Sequence, residues 1–357
     1  MVLSKLAESE ALHGRARAFV AAYERGDAMP EPFDALARDL ADFQARHHAG
    51  YARLRDARGE AIPAVPTEAF KATRVSVWGE RETPIVFRTS GTTVGARGAH
   101  WFRTCATYDA GAVAFGRAAL GVRERVPVLV VGPPPAEQPD SSLVHMIVRF
   151  VEAMATEASE EETYFVRDGV LDLAALDDRV ARLLVSNARD AVVLGTSLAY
   201  FHFLEAIGDA RFRMPDRTRV MQTGGFKTLA REVDAGALRR DLSRALCIDE
   251  RAIVAEYGMT ELSSQLWEMS FRGAAKDVLA APPWARVVPV DPETLAPVAD
   301  GAIGIARVED LLNVDSAVAI VTADRVRSVP GGIELFGRHA GAPPRGCSLA
   351  TEEMMRS

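Results

Sequence analysis

Two stretches of this 357-residue chain combine side chains that could bind and polarise a phosphate group. The first, residues 85–100, begins with three apolar residues and continues with glycine, hydroxyl and basic side chains, namely Thr89, Ser90, Gly91, Thr92, Thr93, Arg97 and His100. Glycines let backbone N–H groups converge on an anion, and hydroxyls add further donors. The pattern predicts a phosphate-binding loop after a short strand, although it lacks the Gly-Lys-Ser/Thr of a P-loop. For this stretch alone, an ordinary surface turn is an equal alternative.

The second stretch is Tyr257-Gly-Met-Thr-Glu261, directly after an apolar run at residues 252–256. A carboxylate beside a hydroxyl at the end of a strand can hold Mg²⁺ and a phosphate oxygen, because Mg²⁺ takes few carboxylates and keeps substrate phosphates as ligands. Taken alone, this stretch is more typical of a polar helix start capped by Thr260 or Glu261. Tyr257, Gly258, Thr260 and Glu261 are candidates for a nucleotide and metal site.

The elements that must position these residues follow an alternating pattern of strands and helices. Short apolar runs separated by amphipathic helices predict an α/β fold with a mostly parallel sheet covered on both faces. The predicted strands are residues 127–131, 191–194, 218–221 and 252–256, and the predicted helices are residues 107–120, 142–154, 173–184, 198–207 and 233–246. Ligands bind beyond the carboxyl ends of such strands, where we expect the loops 89–100, 195–197, 223–227 and 257–261.

The flanking regions have different patterns. Residues 1–60 show helical spacing of apolar residues, so we predict an N-terminal helical segment before a core at residues 61–338. From about residue 275 the core becomes rich in strands and turns, which predicts a β-rich subdomain with strands near 285–290, 303–307, 318–322 and 333–336. A short tail, residues 339–357, carries Cys347.

Composition excludes several classes of function. The chain is 48% hydrophobic and 25% charged with a net charge of −7, which argues against nucleic acid or an anionic membrane as its main partner. Its apolar runs are too short to span a bilayer, and the N-terminus lacks a secretion signal. The three widely spaced cysteines predict a reducing, cytoplasmic location without disulfides, with Cys105 and Cys247 as buried structural thiols.

The two stretches occur together with further motifs in a known order. Thr89-Ser-Gly-Thr-Thr93 and Tyr257-Gly-Met-Thr-Glu261 resemble the first and second motifs of the adenylate-forming superfamily. Asp324 matches its ribose-binding aspartate, and Gly337-Arg338 matches the Gly-Arg that closes its large domain. Thr223-Gly-Gly225 stands where the superfamily packs backbone against adenine. The resemblance implies the large-domain fold of these enzymes.

Within that superfamily the chain looks most like the LuxE-type acyl-protein synthetases, which activate fatty acids. The resemblance covers residues 60–350 and rests on Pro66, Phe70, Lys71, His100, Gly224-Gly-Phe-Lys227, Ser264-Gln265 and Arg345-Gly-Cys-Ser-Leu349. Only nineteen residues follow Arg338, so we expect the C-terminal domain of acyl-CoA synthetases to be reduced to a short tail, as in LuxE-type enzymes.

The resemblance implies that ATP and Mg²⁺ convert a carboxylic acid, such as a fatty acid, into acyl-AMP. The acyl group would then move to Cys347 on a mobile tail, with Arg345 favouring the thiolate, and on to an acceptor protein such as a fatty acyl reductase. Alternatives are an acyl- or aryl-CoA ligase of the same superfamily and a catalytically silent adenylation-like scaffold. The implied catalytic residues are Cys347, His100, Glu261 and Arg338, with Glu261 as the metal ligand.

Two sets of binding residues follow from the same resemblance. The loop departs from the usual motif because Val94 replaces a glycine and the loop lysine is missing, so Arg97 or His100 would have to contact the phosphates. The acyl-binding candidates are Gly195, Thr196, Ser197, Phe201, Phe226 and Lys227. The ATP-binding candidates are Thr89, Ser90, Gly91, Thr92, Thr93, Arg97, Thr223, Gly224, Gly225, Tyr257, Gly258, Thr260, Asp324 and Arg338.

Overall fold

A computed structural model describes residues 4–90, 97–224, 235–339 and 343–356. Its helices are α1 Lys5–Arg25, α2 Phe33–His47, α3 Ala49–Arg58, α4 Ala69–Ala72, α5 Ala106–Leu120, α6 Ser142–Met154, α7 Glu160–Thr163, α8 Leu173–Val185, α9 Ser197–Ile207, α10 Ala235–Leu246 and α11 Arg345–Met355. Single 3₁₀ turns lie at Glu80–Glu82, Pro135–Glu137, Glu250–Ala252 and Ser270–Arg272.

The strands are β1 Val65–Pro66, β2 Ile85–Arg88, β3 Ala99–Phe102, β4 Val128–Val131, β5 Val166–Arg167, β6 Val170–Leu171, β7 Asp190–Thr196, β8 Arg217–Thr223, β9 Ile253–Tyr257, β10 Leu266–Glu268, β11 Leu279–Ala280, β12 Ala285–Val290, β13 Ile303–Asp310, β14 Ala319–Val329 and β15 Gly332–Arg338. The predicted strands and helices of the core agree with this order to within a few residues at most ends. β14 is the main exception, because it continues to Val329 whereas the predicted strand ends near residue 322.

The N-terminal segment contains three helices, and the ends of α1 and α3 carry capping groups. The Ser4 side chain accepts a hydrogen bond from the Ala7 N–H at 3.2 Å, and α1 ends at Gly26, whose φ of 72° suits glycine. α3 likewise ends at Gly59, which is in the left-handed region. The apolar faces of α1, α2 and α3 enter the main hydrophobic core.

One eleven-stranded sheet organises the core, in the order β12-β13-β14-β15-β11-β10-β9-β8-β7-β4, with β1 paired to β14. Strands β4, β7, β8 and β9 are parallel, as predicted for an α/β fold. From β10 to β15 the pairs are antiparallel, in agreement with the predicted change of pattern. This β-rich region continues the same sheet, so residues of both parts meet along it.

Both faces of the parallel strands are buried. In β4, Val128 and Val130 belong to one apolar cluster, with α5 and α6, whereas Leu129 and Val131 belong to a second cluster with α8, α9 and α10. Successive side chains of a strand point to opposite faces, so this division shows helices on both sides of the sheet. The sequences of these strands are therefore continuous runs of apolar residues. The polar residues at the strand ends are available to form a site.

The expected position of one strand is wrong. The loop at residues 89–100 was expected at a carboxyl end of the main sheet, but β2 pairs only with β3, in a separate antiparallel hairpin. The register pairs Phe87 with His100, so His100 lies inside β3 and not in the loop. Three apolar residues identify a strand but do not specify its partner, which depends on tertiary contacts. None of the helices described is both long and apolar enough to cross a membrane.

Candidate active site

Polar side chains form a row across the carboxyl ends of three parallel strands. Thr196 at the end of β7 is in register with Thr223 at the end of β8, and Thr223 is in register with Glu256 of β9. The Thr223 hydroxyl donates a hydrogen bond to a Glu256 carboxylate oxygen. Thr223 is a candidate from the sequence, whereas Glu256 is predicted only as part of a strand. A charged residue in an otherwise apolar strand is the signal that could have identified it.

Burial changes the acidity of Glu256. The side chain is almost fully enclosed, and this loss of hydration raises its pKa from 4.5 to about 7, despite the opposing hydrogen bond from Thr223. A carboxyl group with such a pKa exchanges its proton near neutral pH. The row therefore contains one group whose charge changes within the physiological range.

We expect Glu256→Gln to remove a pH dependence of stability. Between pH 4.5 and about 7 the folded wild type keeps a proton that the unfolded chain has released, so its free energy of unfolding falls as pH rises through this window. Glutamine is neutral throughout, so the variant should gain roughly 3 kcal/mol relative to wild type across the window. Urea titrations at a series of pH values measure this difference. Glu152→Gln, on the exposed surface of α6, is the control, and a pH-independent difference for Glu256→Gln would contradict the assignment.

A second cluster joins the two parts of the sheet. The Tyr257 hydroxyl donates to Asp324 Oδ2 at 2.8 Å, and Arg338 Nε donates to Asp324 Oδ1 at 3.1 Å. Asp324 and Arg338 are paired residues of β14 and β15, and Tyr257 is the last residue of β9. Burial and the Asp324 charge raise the pKa of Tyr257 well above its usual value, so the phenol stays protonated as a donor. Three residues singled out by separate motifs are thus brought together.

The turn after β9 requires glycine because the space beside it is filled. A Cβ atom at Gly258 would lie 2.5 Å from Glu256 Oε1 and 3.2 Å from Gln265 Cγ. Both distances are shorter than ordinary van der Waals contacts, so a side chain here would push against the buried carboxylate. The glycine of the Tyr257-Gly-Met-Thr-Glu261 motif therefore allows Glu256 to occupy its place in the row.

Three of the acyl-binding candidates, Gly195, Thr196 and Ser197, lie at the β7 end of this row. The Ser197 hydroxyl donates to the Gly224 carbonyl at 2.7 Å, which links the start of α9 to the end of β8. Thr196 caps α9 by accepting the Ala199 N–H at 3.0 Å. Gly195 leaves room for the buried Tyr200 ring, which would lie 2.8 Å from an added Cβ, while Phe201 is half-buried on α9. Gly225, Phe226 and Lys227 lie outside the described residues.

The base of the predicted phosphate loop is well defined. The Gly98 N–H donates to the Thr89 hydroxyl, and the Thr89 N–H donates to the Gly98 carbonyl, both at 2.9 Å. Arg97 donates to the Thr89 carbonyl at 2.7 Å and to Asp140 at 2.8 Å. Its charge is therefore partly engaged by Asp140 in this conformation. Ser90 is exposed, and Gly91, Thr92, Thr93 and Val94 lie outside the described residues.

His100 is placed differently from the expectation. It is buried, its Nδ1 lies 2.8 Å from the Thr260 carbonyl, and its ring packs on Phe70 and Phe102. Loss of hydration lowers its pKa to about 4, so the imidazole is neutral. Instead of presenting a charge to a phosphate, His100 holds the β2–β3 hairpin against the turn of the second motif. Phe70, from the Pro66-to-Lys71 motif, supports the same contact.

Glu261 is the candidate metal ligand. Its side chain is buried, and its backbone carbonyl accepts a hydrogen bond from Asn313 Nδ2 at 3.0 Å. No group of three or more His, Cys, Asp or Glu side chains in the described part of the chain is placed to hold a metal ion. A single carboxylate fits Mg²⁺ that takes its other ligands from substrate phosphates and water.

Cys347 lies in a helix rather than on a mobile tail. It is the third residue of α11 and is 1% exposed. Burial, with a smaller contribution from Glu68, raises the pKa of its thiol to about 12, so the expectation that Arg345 favours a thiolate is wrong for this conformation. A short, glycine-containing segment suggested mobility, but the apolar positions of residues 345–355 pack as a helix against α3 and β1.

The other two thiols differ from each other. Cys105 is buried, as predicted, and burial raises its pKa to about 12. Cys247 was expected to be buried as well, but it is exposed. It follows the end of α10 with a φ of 55°, a position at the rim of the helix layer that its sequence neighbours do not reveal.

The sequence pattern of the family described as "Acyl-protein synthetase, LuxE" matches residues 46–355. This chain belongs to that family. The match covers β1 to α11, and thus every element of the candidate site. The description of that family is that of a ligase-type enzyme. No curated protein shows significant sequence similarity to this family member.

Solved structures of adenylate-forming enzymes share its fold. 2-Hydroxyisobutyryl-CoA ligase in the postadenylation state is 12% identical with a TM-score of 0.61, covering 92% of this chain and 67% of that chain. Its open conformation gives 13% identity and a TM-score of 0.60, covering 84% and 73%. ATP-bound MatB from Rhodopseudomonas palustris is 17% identical with a TM-score of 0.49. That alignment covers 73% of this chain and 49% of the MatB chain.

In this acyl-protein synthetase family member, two arginines of α3 hold α11 in place. Arg58 forms an ion pair with Glu353 at 2.6 Å and donates to the Gly346 carbonyl at 3.3 Å. Arg53 donates to the Met354 carbonyl at 2.6 Å. Both ends of α11 are thereby attached to α3, and Cys347 is enclosed between the two helices.

We expect Arg58→Ala to expose Cys347. Arg58→Ala removes a partly buried ion pair and a hydrogen bond that stabilise the closed state by about 1–3 kcal/mol. This corresponds to a rise of roughly 5- to 150-fold in the rate of thiol modification. The measurement is the rate of reaction with a thiol-specific dye in a Cys247→Ser background. Arg55→Ala is the matched control, because Arg55 lies on the same helix but pairs with Asp42. Equal rates in the two variants would contradict this role for Arg58.

Proposed function

We propose that this protein activates a carboxylic acid, such as a fatty acid, with ATP as acyl-AMP, and then carries the acyl group on Cys347 before passing it to a partner such as an acyl reductase. The observation that carries the first step is the cluster of Tyr257, Asp324 and Arg338 beside the Thr223–Glu256 pair. It places a carboxylate acceptor, a guanidinium and a hydroxyl at one edge of the sheet. The carboxylate suits the hydroxyls of a ribose, and the guanidinium suits a phosphate.

In the adenylation step, a carboxylate oxygen of the acid attacks the α-phosphorus of ATP, and the bond to pyrophosphate breaks. Asp324 would accept hydrogen bonds from the ribose hydroxyls, while Arg338, about half exposed, can turn towards the phosphate. Donors at the base of the loop, Thr89 and Ser90, would stabilise charge on the phosphoryl oxygens. Mg²⁺ held by Glu261 would neutralise the charge that develops on the phosphates. Positioning by the rigid sheet supplies the remainder of the rate enhancement.

In the transfer step, the sulfur of Cys347 attacks the acyl carbonyl, and the bond from the acyl carbon to the AMP oxygen breaks. The thiol proton must leave first, which the enclosed position disfavours because the pKa is about 12. We therefore propose that α11 leaves α3 after adenylation, so that the thiol reaches water and the adenylate. The attachment by Arg53 and Arg58 would protect the thiol until that point.

An acyl- or aryl-CoA ligase is the second candidate, and the fold shared with 2-hydroxyisobutyryl-CoA ligase favours it. In that case CoA, and not Cys347, would accept the acyl group. A catalytically silent scaffold is the third, and the intact cluster around Asp324 counts against it. The acid itself could be alkyl or aryl, since the residues around Gly195 and Phe201 are suited to either.

Exchange of labelled pyrophosphate into ATP tests the adenylation step. With ATP, Mg²⁺ and a series of fatty and aryl acids, we expect exchange that depends on the acid, and Glu261→Ala should reduce it at least about a hundredfold. The control is Glu293→Gln, because Glu293 lies on an exposed turn. A buried carboxylate such as Glu309 would not be a suitable control. Absence of acid-dependent exchange in wild type would leave only the silent scaffold, and full exchange in Glu261→Ala would contradict the metal assignment.

A further inference from the structure

A second cleft lies away from the candidate active site. It has a volume of about 1090 Å³ and is lined by the end of α5, the starts of β7 and β8, and residues near Phe271. We call it the arginine cleft, after its seven guanidinium groups. They belong to Arg117, Arg123, Arg125, Arg189, Arg217, Arg219 and Arg272.

The arginine cleft is at the opposite edge of the sheet from the site. β7 begins at Asp190 and β8 at Arg217, both of which line the cleft, whereas the same strands end at Thr196 and Thr223 in the candidate site. Seven residues of extended strand span about 20 Å. The arginine cleft is therefore separate from the ATP site and is not used by the proposed reaction.

Arg219 forms the buried part of the cleft. It is 3% exposed, donates to Asp190 at 2.8 Å and to the Gly121 carbonyl at 3.2 Å, and stacks over the Phe271 ring at 5.1 Å. Its Nε atom is buried and has no hydrogen-bond partner among the described residues. Arg219 is nevertheless held in place by contacts within the protein.

The cleft carries an excess of positive charge. Three carboxylates, Glu24, Glu124 and Asp190, stand against seven arginines. Asp190 is already shared by Arg219 at 2.8 Å and Arg217 at 3.5 Å. Because the whole chain has a net charge of −7, this concentration of guanidinium groups is a local feature that would attract an anion.

From this geometry we propose that the arginine cleft binds a phosphorylated small molecule, an organic polyphosphate. Guanidinium groups donate paired hydrogen bonds to phosphoryl oxygens, which requires the planar fork of arginine. The volume suits one ligand of ordinary metabolite size. Phe271, 37% exposed at the rim, and the half-buried Tyr23 offer a flat apolar surface for the organic part.

Calorimetric titration with sodium tripolyphosphate tests this proposal. We expect saturable binding to wild type and at least about a tenfold weaker affinity for the double variant Arg189→Glu/Arg272→Glu, since both side chains are exposed and their reversal should not disturb folding. The double variant Arg38→Glu/Arg213→Glu changes the net charge equally at exposed positions outside the cleft, and it should bind as wild type does. Equal weakening in both double variants, or no saturable binding to wild type, would overturn the proposal.

Two further titrations complete the test. The first distinguishes binding in the arginine cleft from binding in the ATP site, and the second distinguishes a polyphosphate ligand from an acidic protein segment. Arg338→Ala removes the guanidinium of the candidate ATP site, and tripolyphosphate should bind it within about twofold of wild type. Loss of binding in Arg338→Ala, with normal binding in the Arg189→Glu/Arg272→Glu variant, would assign the titration to the ATP site and refute the proposal. A hexaglutamate peptide that binds more tightly than tripolyphosphate would also refute it, because the cleft would then favour an acidic protein segment.

Discussion

Replacing Cys347 with serine is expected to abolish formation of a thioester on the protein while acyl-AMP is still made. Serine keeps the size of the side chain, so the enclosed site in α11 should still pack, but an alcohol is a much weaker nucleophile than a thiolate. Incubation with ATP, Mg²⁺ and labelled fatty acid should leave hydroxylamine-labile label on wild type and none above background on Cys347→Ser. Pyrophosphate exchange should stay within about twofold of wild type, because adenylation precedes the transfer.

The exposed Cys247 supplies the control for this experiment. Its thiol is accessible in the structure, so it is the position at which non-specific acylation would occur. Cys247→Ser should be labelled as strongly as wild type. Equal labelling of wild type and Cys347→Ser would exclude Cys347 as the carrier. If the label disappeared only from Cys247→Ser, self-acylation would still occur, but the acylated residue would be Cys247 and not Cys347.

Asp324→Ala is expected to reduce acid-dependent pyrophosphate exchange at least about a hundredfold. The substitution removes the acceptor of two hydrogen bonds, from Tyr257 at 2.8 Å and Arg338 at 3.1 Å. Each charge-assisted hydrogen bond contributes roughly 1.5–3 kcal/mol, and a factor of ten in rate corresponds to about 1.4 kcal/mol. Both partners would lose their orientation at the point where, in the proposed reaction, the ribose and phosphate are held.

The same two strands provide a matched control. Glu334 of β15 pairs with Arg327 of β14, with a hydrogen bond from Arg327 Nε at 3.0 Å. This pair lies three residues from Asp324 along β14 and four residues from Arg338 along β15. Glu334→Ala removes a carboxylate–arginine pair of the same kind from the outer part of the sheet, so exchange should change less than about twofold. Thermal unfolding of both variants separates loss of fold from loss of function. If Asp324→Ala retained wild-type exchange, its role at the nucleotide would be refuted.

The local spacing of apolar residues was sufficient to predict most of the core helices and strands. The apolar spacing and flanking residues predicted α6 at residues 142–154, where the structure has Ser142–Met154, and the strands that became β7, β8 and β9. Helix and strand periods are properties of neighbouring residues, so they can be read without knowledge of distant contacts. The motifs were equally local, which is why Tyr257, Asp324 and Arg338 could be identified before it was known that they touch.

Pairings between distant residues could be known only from the tertiary structure. The separation of β2 from the main sheet depends on its pairing with β3, and the contact of His100 with Thr260 brings together residues 160 positions apart. The shift in the pKa of Glu256 comes from burial by distant elements, which its sequence neighbours do not encode.

The sequence by itself determined the types and order of the chemical groups, from the hydroxyls of Thr89 and Ser90 to the thiol of Cys347. The tertiary structure decided which of them are available. It encloses Cys347 between α11 and α3, and it leaves Cys247 exposed. The physical reason is that reactivity depends on hydration and on neighbouring charges, and both are set by chain segments far away in sequence. The same reason explains the arginine cleft, where guanidinium groups from residues 117 to 272 converge in space.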